Sequence, residues 1–221
     1  MRQGLSVGVA TGAYGVSFGA LSIAAGLSMW QTITLSSLLF SGGSQFAIVS
    51  ILGAGGSGAA AVATSSLLGL RNGLYGLQVS RLLGGKGVRR LAAAHLTIDE
   101  STAVAIGQPE AAASRLGFWV TGAAVFVLWN LTTLVGALLG NAFGDPRRYG
   151  LDAAAAAAFA ALLWPRLRGR DTRSVAAVAA VVALVVVPRA PAGVPVLVAA
   201  VVAVVAGLGP RPGSASDEGS R

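Results

Sequence analysis

The sequence contains no cysteine and a single histidine, and charged residues make up only 11% of its 221 positions. Without cysteine the chain can form neither disulfides nor thiolate metal sites, and it has no cysteine nucleophile. The sequence also lacks HExxH, P-loop and G-x-S-x-G motifs, so zinc proteolysis, ATP hydrolysis and a serine-hydrolase elbow have no support. We therefore predict no enzyme activity, no metal and no cofactor. Soluble domains carry about 25% charged residues, so the low charge content indicates that much of the chain faces lipid.

Hydrophobic residues are correspondingly abundant, at 54% of the chain, with a mean hydropathy of +0.73. Runs of about 20 apolar residues are long enough to span a bilayer as helices. We predict an all-α, polytopic membrane helical bundle of about seven to eight apolar segments, at least one of them broken or re-entrant. It forms one membrane transport domain over residues 1–208, followed by a polar, disordered tail over 209–221. The segments are residues 5–27, 31–53, 59–83, 91–107, 116–140, 153–164, 175–187 and 194–208.

The net charge of +8 is concentrated in short loops, chiefly residues 81–90 and 165–173. In a soluble protein this excess would suggest nucleic acid, but basic loops between apolar segments are typical of the cytoplasmic side of a membrane protein. We predict no nucleic-acid partner. Three apolar segments separate the two loops, so both can be cytoplasmic only if one segment does not cross. The short segment 153–164 is predicted to be re-entrant for this reason.

The stretch FSGGSQF, residues 40–46, interrupts the second apolar segment with two adjacent glycines. Glycine weakens a helix and allows close backbone approach. Polar groups at bilayer depth are tolerated only where protein or a water-filled cavity covers them, and here they are Ser41, Ser44 and Gln45. Two interpretations remain open: a substrate-lining break in a transporter helix, and a tight helix crossing.

Glycines recur along the first segment at positions 4, 8, 12, 15 and 19. Spacings of three and four place them on one helical face. We predict that this ridge packs closely against another helix.

Three ionisable residues, Arg71, Asp99 and Glu100, lie within apolar segments. A charge at the bilayer centre costs about 2.5–3.5 kcal/mol on insertion scales, which makes such residues functional candidates. A satisfied polar network between helices is the structural alternative, and a position for both acids near a membrane surface is another. His95, one turn before Asp99, is either part of a proton path or a hydrogen-bonded structural residue.

Several motifs together resemble those of a bacterial transporter family. They are YGVSFG at 14–19, the stretch 40–46, LRN at 70–72 followed by Tyr75 and Gly76, residues 96–101 around the acid pair, and GLD at 150–152. Over roughly residues 4–208 the chain resembles the AzlC-type (azaleucine-resistance) branched-chain amino acid permeases.

The resemblance implies a multi-pass protein of the bacterial cytoplasmic membrane that exports valine, leucine and isoleucine, with methionine as a further candidate. It also implies that this chain is the large subunit of a two-component secondary transporter with a small AzlD-type membrane protein. The competing hypothesis is a non-transporting membrane assembly subunit. An intramembrane hydrolase is a distant third.

A zwitterionic amino acid requires one site for its carboxylate and one for its ammonium group. Arg71, or helix N-terminal amides exposed at Gly42 and Gly43, are candidates for the carboxylate, and Asp99 or Glu100 for the ammonium group or a coupling proton. The predicted substrate-binding residues are Phe18, Ser41, Gly42, Gly43, Ser44, Gln45, Phe46, Arg71, Asn72 and Tyr75, and the predicted coupling residues are His95, Asp99 and Glu100.

Overall fold

The computed structural model describes residues 1–143 and 167–208, together with the isolated positions 148, 150, 153, 157, 160, 163 and 164. Within this part of the chain every regular element is a helix, which confirms the all-α prediction. The helices are α1 (Arg2–Ala24), α2 (Met29–Leu38), α3 (Gly42–Gly53), α4 (Gly58–Leu83), α5 (Gly87–His95), α6 (Asp99–Ile106), α7 (Ala111–Phe143), α8 (Arg170–Val186) and α9 (Val194–Leu208).

The predicted glycine ridge is confirmed as the face that packs α1 against α7. Gly4, Gly8 and Gly12 lie against Thr121, Ala124 and Leu128 in turn, so the two helices run parallel. Further along, a Cβ added at Gly19 would overlap the backbone oxygen of Thr133. Small residues are required here because the two helix backbones approach too closely for side chains.

The second segment is broken, which was one of the two open interpretations of residues 40–46, and the break lies just before the two glycines. Helix α2 ends at Leu38, and α3 begins at Gly42 after Ser41, an extended N-cap residue with φ −155° and ψ 97°. Gly42 and Gly43 are thus the first helical residues of α3 rather than the gap itself.

The segment also reverses direction at this break. Helix α2 runs antiparallel to α7, because the Ser36 hydroxyl bonds to Thr133 and the Phe40 ring meets Phe126 further back along α7. Helix α3 then runs parallel to α1: Phe46 packs on Phe18, and Gly53 lies beside Ala25. Helices α2 and α3 therefore form a hairpin that returns to the end of the bundle where it began.

The prediction of one continuous segment at residues 91–107 is wrong. The structure has two short helices there, α5 and α6, separated by a turn at residues 96–98. Helix α5 runs along α7 from Arg89 over Trp119 to His95 beside Phe126. Helix α6 runs back, with Val104 near Gly117. This second hairpin enters from the opposite end to the first.

The turn of the second hairpin is organised by the Ser101 hydroxyl. It accepts a hydrogen bond from the Ile98 N–H at 3.1 Å and donates one to the Leu96 carbonyl at 2.6 Å. This is the back-bonding half of a capping box. Asp99 and Glu100 occupy the first turn of α6, where the helix dipole favours acids.

The two hairpins belong to an inverted repeat. Helices α1, α2 and α3 begin 56, 58 and 57 residues before α4, α5 and α6 respectively. Each unit is one long helix followed by a hairpin of two short helices, and the two hairpins enter from opposite ends. This is the arrangement of inverted-topology repeats found in secondary transporters.

One end of the bundle, which we call the basic end, holds the start of α1, the end of α4 and the start of α7. Contacts between Gln3 and Gln108, and between Arg115 and the Leu82 carbonyl, bring these elements together. Its basic residues are Arg2, Arg81, Lys86, Arg89, Arg90 and Arg115. By contrast, the α1–α2 and α3–α4 loops at the opposite end, residues 25–28 and 54–57, carry no charge.

The second hairpin resolves the parity of the two basic loops, because segment 91–107 does not cross. Segment 153–164 then need not be re-entrant. That prediction lies outside the described residues apart from isolated positions, as do the GLD motif at 150–152 and the tail at 209–221.

Two helices of the described part are long and apolar enough to cross a membrane, Arg2–Ala24 and Ala111–Ala142. Helices α3 and α9 are apolar but shorter. The predicted count of seven to eight segments is thus not reached among the described residues. The hairpins explain part of the difference between the predicted and the observed number of spanning segments, since each helix of a hairpin is too short to traverse about 30 Å of hydrocarbon alone.

Candidate functional site

Both hairpin turns meet the middle of α1, α4 and α7 around one cavity of about 300 Å³, the central pocket. Small-ligand sites have volumes of about 300–1,000 Å³, so the pocket suits a small solute. Arg71 lies near the midpoint of the 26-residue α4, which places the pocket at mid-depth. Its lining residues are Thr11, Tyr14, Phe40, Ser41, Gly42, Gly43, Phe46, Arg71, Asn72, Ile98, Asp99, Glu100, Val125 and Trp129.

An ion pair crosses the pocket between α4 and α6. Arg71 Nη2 lies 2.9 Å from Asp99 Oδ2, with side chains 26% and 15% exposed. Glu100, about 100° further round the helix, faces α1, where Thr11 Oγ1 donates to its Oε1 at 3.5 Å. The acids therefore have different partners, and they lie at the depth of Arg71 rather than at an end of the bundle.

The N-termini of α3 and α6 both open onto the pocket, but they differ in charge. The first N–H groups of a helix have no intrahelical acceptor and form the positive end of its dipole. At α6 this end carries its own carboxylates. At α3 the first residues are Gly42 and Gly43, and the Ser41 hydroxyl bonds to Ser44 Oγ at 3.2 Å instead of capping the helix. The α3 end therefore presents its first N–H groups to the pocket without a side-chain cap, a geometry with which helix N-termini bind anions.

The remaining wall of the pocket is apolar and aromatic. Trp129 stacks on Phe18 with ring centroids 6.1 Å apart and meets Phe46 edge-on at 6.2 Å. A Cβ at Gly42 would lie 3.3 Å from the Trp129 ring, so glycine lets the indole approach the α3 backbone. The wall can hold an aliphatic group against Phe40, Phe46 and Trp129.

Three lining side chains carry buried polar atoms that have no hydrogen-bond partner among the described residues: Arg71 Nε, Asn72 Oδ1 and Trp129 Nε1. Trp129 is only 4% exposed. Buried polar groups are nearly always paired in folded proteins. These three atoms are therefore available to pair with a polar group in the pocket.

The family model for AzlC protein matches residues 6–143 of this sequence. The chain belongs to the AzlC family. The match covers well over half of the chain and contains every residue that lines the central pocket. AzlC is a transport-associated, non-enzymatic family, so this is a membrane protein with a transport-related function. No curated protein and no solved structure matches the chain.

Eight of the residues predicted from the sequence line the pocket of this AzlC protein. They are Ser41, Gly42, Gly43, Phe46, Arg71, Asn72, Asp99 and Glu100. They come from three separate segments, and the two hairpin turns together with the middle of α4 bring them together.

Three other predicted residues are fully buried behind the lining. Ser44 Oγ donates to the Ser65 carbonyl at 3.0 Å, and Gln45 Nε2 donates to the Ser36 carbonyl at 3.2 Å. Phe18 packs beneath Phe46 and Trp129. These positions hold the first hairpin in place, and substrate contact at them stays a prediction.

Tyr75 and His95 also lie outside the lining. Tyr75 is one turn beyond Arg71 on α4. His95 is exposed, with its ring 5.8 Å from Phe40 and 5.4 Å from Phe126. A proton-path role for His95 stays a prediction.

The predicted site left out six lining residues of the AzlC pocket: Thr11, Tyr14, Phe40, Ile98, Val125 and Trp129. Trp129 carried a usable signal, because membrane tryptophans concentrate at the interfaces and this one lies in the middle of an apolar segment. Thr11 lies on α1 directly before Gly12 of the glycine ridge. Close helix packing was a sufficient explanation of the residues there, so nothing indicated that Thr11 lines a pocket.

Proposed function

We propose that this protein exports valine, leucine and isoleucine, with methionine as a further candidate, across the bacterial cytoplasmic membrane. We propose that it does so as the large subunit of a two-component secondary transporter with a small AzlD-type partner. The observation that carries the proposal is the pair of hairpins that enter from opposite ends and meet at one polar pocket. Secondary transporters recurrently bind substrate at mid-depth between discontinuous helices of inverted repeats.

The charges of the pocket suit a zwitterion. Arg71 and Asp99 neutralise one another at 2.9 Å, which leaves one carboxylate, Glu100, and the N-terminus of α3, whose first turn carries no acid. In our proposal Glu100 binds the substrate ammonium group, and the N–H groups of Gly42 and Gly43 bind its carboxylate.

The aliphatic side chain of the substrate would occupy the aromatic wall of Phe40, Phe46 and Trp129. These side chains are each at least nine-tenths buried, so an apolar group placed there is removed from water. Burial of each CH₂ stabilises binding by about 0.8 kcal/mol. A pocket of about 300 Å³ therefore favours small branched side chains over smaller polar ones.

We place the basic end in the cytoplasm, following the excess of Lys and Arg on cytoplasmic loops. The second hairpin, with Asp99 and Glu100, then enters from the cytoplasm and the first from outside.

Glu100 is our candidate for the residue that carries the coupling proton, because it lies between two helices and forms no ion pair with an arginine among the described residues.

The test is export of labelled valine from proteoliposomes that contain the chain alone or with its AzlD-type partner. We expect Glu100→Gln to reduce the rate at least tenfold, because the ammonium group loses its counter-charge. Glu110→Gln is the matched control, since Glu110 is exposed and lies outside the pocket. If wild type moves no valine under any gradient although its partner is bound, the protein is an assembly subunit and our proposal is wrong.

A further inference from the structure

A second cavity of about 570 Å³ lies between α4 and α5 at the basic end, and we call it the vestibule. Asn72 lines both this cavity and the central pocket. The α4 side of the vestibule extends from Asn72 to Gly84. At 1.5 Å per residue this is about 18 Å, the distance from the basic end to the depth of the pocket.

Small residues form much of the walls of the vestibule and leave it open. Gly73, Gly76 and Ser80 line it on α4, and Ala93 and Ala94 on α5. A Cβ added at Gly73 or Gly76 would meet nothing within 4 Å. Packing against a neighbour therefore does not explain these glycines, in contrast to the glycines of α1.

The polar groups of the vestibule suit a carboxylate. Arg81 and Arg90 line it near the basic end, both are exposed, and no acid lies among its lining residues. Clefts lined by one sign of charge raise the local concentration of oppositely charged solutes. At the inner end, Asn72 Oδ1 is buried without a hydrogen-bond partner among the described residues, and as an acceptor it suits the ammonium group of the same solute.

The opposite side of the central pocket is filled. Phe18, Phe46 and Trp129 form a buried aromatic cluster there, with Val49 packed behind it. A solute in the pocket is therefore separated from the opposite end by closely packed rings, while Asn72 connects it with the vestibule.

We propose that the vestibule is the path by which a carboxylate-bearing amino acid reaches the central pocket from the basic end, with Asn72 at the junction. This inference rests on the proposed function, because it takes the central pocket as the substrate site. The structure then corresponds to a state open to the cytoplasm, and the glycines of α4 keep the path wide enough for a zwitterion.

Thiol accessibility tests the path directly, because the native chain has no cysteine that would react. Gly76→Cys places a thiol in the vestibule. Leu74→Cys is the control: it lies about 3 Å away in depth but about 200° round the helix, on an exposed apolar face. In membranes we expect a charged, impermeant thiol reagent applied at the basic end to modify Gly76→Cys at least tenfold faster. The reason is that the thiol of Leu74→Cys lies in apolar surroundings, where it does not form the reactive thiolate.

The second arm measures valine transport. Gly76→Leu should reduce it at least tenfold by filling the path, whereas Gly58→Leu, also in open space on α4, should leave it unchanged. Equal labelling of the two cysteine variants would overturn the proposal, and so would normal transport by Gly76→Leu. If wild type does not transport, the proposed function fails, and the labelling ratio still decides whether a water-filled path exists.

Discussion

The ion pair between Arg71 and Asp99 provides the sharpest test of whether the polar residues of the pocket hold helices together or handle a solute. It joins α4, the long helix of the second repeat unit, to the tip of that unit's own hairpin. We consider three variants: Asp99→Asn, Arg71→Gln and the double variant. Asp99→Asn preserves side-chain shape, Arg71→Gln shortens the side chain, and each substitution removes one charge.

The expected loss of stability follows from the burial of the pair. Removal of one partner from a fully buried pair costs about 3–5 kcal/mol, and an exposed pair contributes at most about 1 kcal/mol. With side chains 26% and 15% exposed, each single variant should lose about 2 kcal/mol of unfolding free energy. The double variant leaves no unpaired charge, so it should lie within about 1 kcal/mol of wild type.

Two measurements on the same preparations separate the interpretations. Unfolding in detergent gives the stability, and valine export from proteoliposomes gives the function. We expect the double variant to recover stability but not transport, because the pocket has lost two of its three charged lining side chains beside the groups that bind the zwitterion. Recovery of both would show that the pair is only a structural link. If the unfolding free energy of each single variant differs from that of wild type by less than about 0.5 kcal/mol, the ion pair does not stabilise the protein and this reasoning is wrong.

Three further predictions concern the scaffold around the pocket. Gly19→Val should lower the unfolding free energy by about 1–3 kcal/mol through overpacking against α7, whereas Gly58→Val, in open space, should not, as thermal unfolding would show. Ser101→Ala removes both hydrogen bonds that organise the second hairpin turn, so it should cost about 1–2 kcal/mol and slow valine export. Lys86→Cys should react with an impermeant thiol reagent only from the cytoplasmic side, and Ser57→Cys only from outside. The reverse labelling pattern would place the basic end outside the cell.

The features that the sequence predicted correctly depend on local chemistry. The period of the α1 glycines predicted a close helix contact, and a contact with α7 is what the structure shows. A break was one of the two interpretations of the polar stretch at 40–46, and the structure shows it between α2 and α3. The isolated charges Arg71, Asp99 and Glu100 were candidates for one site, and all three line the central pocket, while their roles stay a prediction. In each case the residues are of types that an ordinary lipid-facing helix does not contain. They could therefore be recognised as unusual without knowledge of the fold.

The features that were missed depend on chain direction and on contacts distant in sequence. Apolar content cannot distinguish a hairpin of two short helices from one crossing helix, which is why segment 91–107 was taken as continuous. At the centre of segment 91–107, Asp99 and Glu100 followed by Ser101 do form a pattern typical of a helix N-terminus, which indicates that a new helix begins there. Val125 lines the pocket only because α7 passes both hairpin tips, and nothing in its own neighbourhood indicates that position.

The repeat explains why the two hairpin tips have complementary chemistry. With the offset of 57 residues between α3 and α6, Gly42 corresponds to Asp99 and Gly43 to Glu100. Both helices present a positive N-terminus to the pocket, but acids reverse the charge of one and glycines expose the amides of the other. In our proposal the inverted repeat thus places the same backbone feature twice at one cavity, once as a cation site and once as an anion site. A solute with both charges matches this asymmetry better than a simple anion or cation, and that match, rather than any single residue, is what supports our proposal of amino acid transport.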